Sequence, residues 1–365
     1  MKLTAQVKLQ PTTKQHALLK KTLEMCNAAC NWLSEYAWQE QRFGQYDLHK
    51  ARYHATRAEF PELGAQAVVR CIAKVADGYK LDRKHKRVFK EHGAIAFDLK
   101  MLRWYTDKQT VSIWTAKGRE AIAYVCGDPQ RELLKHQQGE SDLLYSKGKW
   151  YLLATCEIAE PTLDDVNRFL GVDRGIVNLA TDSDGVSYQG DHVEALRKWH
   201  ANRRAILQQV GTHSARRRLK KLAGRQARFQ RDVNHCISKT LVLTAKGTKR
   251  GIALEDLTGI TRTTVRREQR AKRGNWAFAQ LEFFIVYKAN QYGVPVRFVD
   301  PAYTSQRCYA CGHTERANRK SQSVFLCVAC GHQTNADTNA ALNIALRAAV
   351  NQPMASTDRQ VSAEK

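Results

Sequence analysis

The sequence predicts an α+β protein of more than one domain, with a four-cysteine metal element set into its C-terminal half. Three observations lead there. Residues 11–94 carry the three- and four-residue apolar spacing of helices, and residues 95–158 break into short alternating runs. From Phe169 onward, apolar strand-like segments end in acids, and two CxxC pairs lie near the end of the chain. A length of 365 residues allows two or three domains, and a hydrophobic fraction of 43% is enough for a core in each.

Leu3, Ala5, Val7 and Leu9 alternate as one face of a strand that Pro11 stops. Leu19, Leu23, Cys26, Cys30, Leu33 and Ala37 then form the stripe of an amphipathic helix. Further helical pattern runs through "LGAQAVVRCIAKVADGYKLDRKHKRVF" to a basic cluster. "TVSIWTAKG", "REAIAYVCG" and "KWYLLATCEI" read as strands separated by Gly, Asp-Pro and Lys-Gly turns. Residues 1–10 and 95–160 are therefore expected to form a β-barrel, with the helices of 11–94 inserted into it. "EPTLDDVNRF" reads as a linker to a second domain over 161–307 and 331–350, interrupted by a metal element at 308–330. Residues 351–365 show no apolar pattern and are expected to be a disordered tail.

Lys and Arg number 59 against 35 acids, giving a net charge of +24 and a pI near 9.7. Such a surplus seeks phosphates, so a nucleic acid is the expected partner, with a ribosomal-type structural protein or a merely basic enzyme as alternatives. Residues 197–231 contain twelve Lys/Arg and no acid, and "RTTVRREQRAKR" starts a second basic stretch at Arg262. The candidate phosphate contacts are Arg203, Arg204, Arg216, Arg217, Arg218, Lys220, Lys221, Arg225, Arg228, Arg266, Arg267 and Arg270. No apolar run reaches membrane-spanning length, and "MKLTAQVKLQ" has no signal-peptide core; the expectation is a soluble, cytoplasmic protein without a membrane partner.

Cys308, Cys311, Cys327 and Cys330 follow C-x2-C-x15-C-x2-C, each pair ending in Cys-Gly-His. Each CxxC turn presents two thiolates, and four complete the tetrahedron of one structural Zn²⁺ with no position left for a catalytic water. The six remaining cysteines, Cys26, Cys30, Cys71, Cys126, Cys156 and Cys236, stand singly among apolar residues and are expected to be small core hydrophobes.

Chemistry must come from elsewhere, and three acids stand out. Asp173 closes the apolar run of "RFLGVD", Glu255 ends "KRGIALE", and Asp337 begins the helical "DTNAALNIALRAAV". Singly they fit a turn acid, a strand-end charge and a helix N-cap. Together, carboxylates delivered from two strands and a helix can hold two Mg²⁺ for phosphodiester hydrolysis.

"GVDRGIVNLAT", "GIALEDL", "YTSQRCYACG", "FLCVACGHQTNADTNAALNIA" and "RDVNHCISKTLV" resemble TnpB, the RNA-guided nuclease of insertion sequences related to type V CRISPR effectors. "LQPTTKQHALLKKTLEMCNAACNW" is similar to that family's opening. The resemblance implies an RNase H-like (RuvC) nuclease domain with an inserted zinc ribbon, and a wedge-like barrel carrying a helical recognition insertion. It implies Asp173, Glu255 and Asp337 as the nuclease triad and Cys308, Cys311, Cys327 and Cys330 as zinc ligands. The implied partners are a guide RNA from the element end and duplex DNA with an adjacent short motif, bound by one protein monomer per RNA. Arg319, between the CxxC pairs, is a candidate neighbour of the scissile phosphate. Alternatives that stay open are a guided repressor without catalysis, a compact type V effector, a strand-transfer transposase and a sugar-kinase-like or actin-like ATPase.

Overall fold

In the computed structural model, which describes residues 1–175, 177–257 and 278–350, the chain divides into two units, Met1–Ala159 and Glu160–Lys365. In the first, β1 (Lys2–Gln10) buries Ala5, Val7 and Leu9 on one face and pairs antiparallel with β5 (Gly118–Val125) and β7 (Lys149–Glu157). With β2 (Ile95–Phe97), β3 (Leu102–Tyr105), β4 (Thr110–Thr115) and β6 (Gln137–Ser146) it forms a seven-stranded sheet ordered β2-β6-β7-β1-β5-β4-β3. The two edge strands are consecutive in the chain. Five residue steps span at most about 18 Å, whereas flat seven-stranded edges would stand roughly 29 Å apart. The sheet therefore curls until it is nearly closed.

Between β1 and β2 come α1 (Thr13–Gln39), α2 (Gln45–Glu59) and α3 (Ala65–Leu81). Thr12 and Gln15 cap α1 reciprocally. The stripe Leu19, Leu23, Cys26, Cys30, Leu33 and Ala37 is fully buried and shares one hydrophobic cluster with buried residues of the sheet, including Trp150 and Phe97. Asp128 and Pro129 make no turn; they open α4 (Asp128–Leu134), where proline's missing N–H has no helical partner to lose.

The second unit is built on a sheet ordered β10-β9-β8-β11-β12. Strands β8 (Phe169–Asp173), β9 (Asn178–Asp182) and β10 (Ser187–Gln189) form an antiparallel meander. After the helices α5 (Asp191–Val210) and α6 (His213–Gly247), β11 (Gly251–Glu255) returns parallel to β8. A further helix, α7 (Phe278–Tyr292), leads to β12 (Val296–Val299), parallel to β11. The last helix among the described residues is α8 (Ala336–Val350).

Strand periodicity sorts the side chains into layers. Leu170, Val172, Ile252 and Leu254 pack with Ile237 and Leu241 of α6 and Leu281 and Ile285 of α7. Phe169 and Ala253 face the other way, onto Ile344 and Ala348 of α8. Gly171 lies on that second face, where a Cβ would stand 2.0 Å from the Ala341 carbonyl oxygen. Only glycine admits so close a helix. The lone-cysteine expectation holds for Cys26, Cys30, Cys71 and Cys156, but Cys126 is half-buried and Cys236 is exposed. Cys236 sits about 100° round α6 from the buried Ile237, on the solvent side. Among the described residues no helix is long and apolar enough to cross a membrane.

Candidate active site

Asp173 and Glu255 are the last residues of two adjacent parallel strands, and the register that pairs Leu254 with Val172 brings these acids next to each other. Counting by twos from Phe169 and Ala253 puts both on the α8 face. Asp337 joins them from the first turn of α8. The N–H groups of Asp337 and Thr338 donate to Asn335 Oδ1, so Asn335 makes the capping bonds and the Asp337 carboxylate is left for other contacts. Asp173 is half-buried, while Glu255 and Asp337 are buried.

The three share one electrostatic environment. Burial, and then the negative charges of Glu255 and Asp337, push the Asp173 carboxyl from its ordinary 3.8 up to about 7; Arg319 and Arg174 offset this in part. Burial also raises Glu255, opposed by a hydrogen bond from Thr304. A site that holds carboxylates this reluctantly as anions favours a cation among them.

Four further residues fix these groups. Thr304 Oγ1 donates to Glu255 Oε1, and Asn178 Nδ2 donates to Asp337 Oδ2 at 2.8 Å. Arg319 Nη2 approaches Asp337 Oδ1 at 3.5 Å, so the structure sets this arginine beside an acid of the group. Arg174, whose side chain is only 1% exposed, donates to the Glu255 carbonyl and to Glu282 Oε2, both at 2.6 Å. Glu282 thus takes much of its charge, and Arg174 braces the strand end. Thr304 and Asn178 lie within the quoted motifs "YTSQRCYACG" and "GVDRGIVNLAT", but no local period gives them a role, because their partners are 49 and 159 residues away.

The four cysteines converge as well, with all four sulfurs within 4.8 Å of one another. Cys308 Sγ lies 3.7 Å from Cys330 Sγ, and Cys311 Sγ lies 3.6 Å from Cys327 Sγ. A disulfide needs about 2.05 Å, whereas a tetrahedron of 2.3 Å Zn–S bonds has edges of about 3.8 Å. The donor set fits zinc. Both turns close alike: Gly312 and Gly331 stand at φ +79° and +71°, and their N–H groups bond Cys308 O and Cys327 O. Ala336 packs with Cys308, Phe325 and Cys327, so the ribbon core ends one residue before Asp337. Among the described residues the other group of three donors this tight is Glu24, Glu91 and His92; the three acids of the site are more widely spread.

Arg203, Arg204, Arg216, Arg217, Arg218, Lys220, Lys221, Arg225 and Arg228 all project into solvent from the α5–α6 hairpin. Arg204 bonds Gln226, and none of the nine forms an ion pair with a described residue. Arg266, Arg267 and Arg270, like the tail 351–365, lie outside the described residues.

Comparison with known proteins gives two family matches: a "Probable transposase" family over residues 154–258 and the "Cas12f1-like, TNB domain" over residues 278–344. The CRISPR-associated endodeoxyribonuclease Cas12f1 of Sulfoacidibacillus thermotolerans is 34% identical over 232 residues, covering 58% of this chain and 54% of the relative. This chain therefore spans only about half the length of that protein. The putative RNA-guided DNA endonuclease InsQ of Escherichia coli K12 is 27% identical over 341 residues, covering 86% of this chain and 75% of InsQ. A TnpB-like protein of Methanocaldococcus jannaschii is 33% identical over 128 residues, covering 34% of this chain and 45% of that one.

Proposed function

We propose that this relative of the TnpB-like and Cas12f proteins is an RNA-guided DNA endonuclease that cuts phosphodiester bonds at Asp173, Glu255 and Asp337. One observation carries the reading: two neighbouring strand ends and a helix start deliver three carboxylates to one enclosed, mutually repelling group. The sheet order, a meander followed by two parallel strands, supports an RNase H-like (RuvC) domain over 161–307 and 331–350. The nearly closed sheet of the first unit supports a wedge at 1–10 and 95–160, with 11–94 as a recognition insertion.

Asp173, Glu255 and Asp337 would hold two Mg²⁺, whose chemistry is to activate a water and stabilise the leaving oxygen. Thr304 and Asn178 hold the Glu255 and Asp337 carboxylates in fixed rotamers, so the oxygens are oriented before substrate arrives. Arg319, beside Asp337, supplies a positive charge to the phosphate entering there. Cys308, Cys311, Cys327 and Cys330 hold Zn²⁺ and brace the start of α8. Base pairing with a guide RNA from the element end reads the target next to a short duplex motif, while the basic hairpin follows the backbone. That division of labour suits a chain with a net charge of +24.

The test is co-expression with the DNA flanking the gene, purification in high salt and sequencing of the retained RNA. Duplex DNA matched to that RNA should be cut in Mg²⁺. Asp173→Ala should lower cutting by at least about a hundredfold and leave target binding within about twofold. If the matched duplex stays intact with the wild-type complex, or if the variant also loses binding, the proposal fails.

A further inference from the structure

Five non-glycine residues among those described adopt left-handed backbone: Gln41, Gln109, Lys147, Lys249 and Tyr303. Four are polar turn residues. The fifth is an aromatic at φ +62°, a conformation that crowds any Cβ and that glycine adopts freely. It closes the loop after β12, where the N–H groups of Gln306 and Arg307 both bond Tyr303 O at 3.0 Å. The same turn lets the Thr304 hydroxyl reach Pro301 O and Glu255 Oε1. The backbone is thus used to aim Thr304, and a glycine would serve that purpose at lower cost.

The ring is not used for packing either, since Tyr303 is 63% exposed. Single exposed aromatics are common, but one held in a strained backbone that its own packing does not require points to a use for the ring. Consecutive Cα atoms stand about 3.8 Å apart, and Thr304 touches Glu255, so the ring is anchored within about 10 Å of the carboxylate group. A base next to a phosphate bound at that group falls within its reach. Stacking on a phenol ring suits any unpaired base, because every base has a π-face.

We propose that Tyr303 is the stacking platform for the unpaired DNA base beside the scissile phosphate. The assignment rests on the nuclease reading above and adds a substrate contact to that site. Guide pairing already retains the target, so the ring acts on how the strand lies at the acids, and less on whether DNA is bound.

Tyr303→Gly, Tyr303→Phe and the wild type would be compared as RNA-bound complexes. Under single-turnover conditions with matched DNA, Tyr303→Gly should cut about tenfold or more slowly, bind target equally well, and melt no lower than wild type. Tyr303→Phe keeps the ring and should cut within about twofold of wild type. A second readout needs no activity: single-stranded DNA carrying 5-iodouracil should photo-crosslink to Tyr303, mapped by mass spectrometry, in Asp173→Asn protein. Wild-type cutting speed in Tyr303→Gly, or crosslinks that avoid Tyr303, would overturn the proposal. A crosslink at Tyr303 together with a wild-type complex that cuts no DNA would remove the nuclease reading, and with it the scissile phosphate, leaving Tyr303 a base contact only and overturning the proposal as stated.

Discussion

Asp173 shows how a single carboxyl links fold stability to metal and pH. Burial and two neighbouring acids raise it from 3.8 to about 7. Between those values the unfolded chain has released this proton while the folded chain still holds it. The unfolded state then binds fewer protons, so the metal-free fold loses stability as pH rises from about 4 to 7 and carries the full cost above that. A divalent cation among the acids removes the cost, and it competes with the proton for the same oxygens. Excess Mg²⁺ should therefore raise Tm by about 5 °C at pH 8 and by about 1 °C or less at pH 5. Asp173→Asn should raise the metal-free Tm at pH 8 and erase most of the Mg²⁺ effect. Equal Mg²⁺ shifts at both pH values would put the ion elsewhere.

Among elements, α8 and the ribbon before it act as one device. The helix is drawn onto β8 through Gly171, and its first residue, Ala336, belongs to the small core around Cys308, Phe325 and Cys327. Asn339 and Asn343 tie it further by donating to the Arg307 carbonyl at 2.8 and 2.7 Å. Asp337 is thus aimed by the four-cysteine element although it contributes no sulfur to it. Cys327→Ser should release the zinc equivalent, lower DNA cutting at least about tenfold through a misplaced Asp337, and leave far-UV circular dichroism nearly unchanged. Full cutting by zinc-free protein would show that α8 holds its start without the ribbon. Much of this level is legible in the sequence where periodicity is strong. Pro11 ends β1, six stripe residues of α1 are buried, and apolar runs end at Asp173 and Glu255. Strand β6 is not legible, because the first four residues of "QQGESDLLYS" are polar or glycine, and three of them are exposed. Nor are the partners of the acids, since Thr304 and Asn178 reach them through tertiary contacts that no local period encodes.

At the scale of the whole chain, charge matters as much as fold. A net charge of +24 is a solubility and association property, and its placement decides what it binds. In the first unit many cations are paired, as Arg70 is with Glu140 and Lys21 with Glu62. The α5–α6 hairpin differs: its two helices share the buried contacts of Leu207, Ala215 and Leu222, and nine of its outward Lys and Arg form no ion pair with a described residue. An unpaired cation gains from a phosphate without first breaking an ion pair, and each phosphate neutralised releases about one counterion. If this hairpin follows a nucleic-acid backbone, replacing Arg216, Arg217 and Arg218 with Gln should flatten the plot of log K against log salt by about 2 to 3. The loss should be similar for matched and unmatched sequences, because phosphate contacts carry no sequence information. An unchanged slope would assign the electrostatic work to other basic surfaces and leave the hairpin as a solvated face.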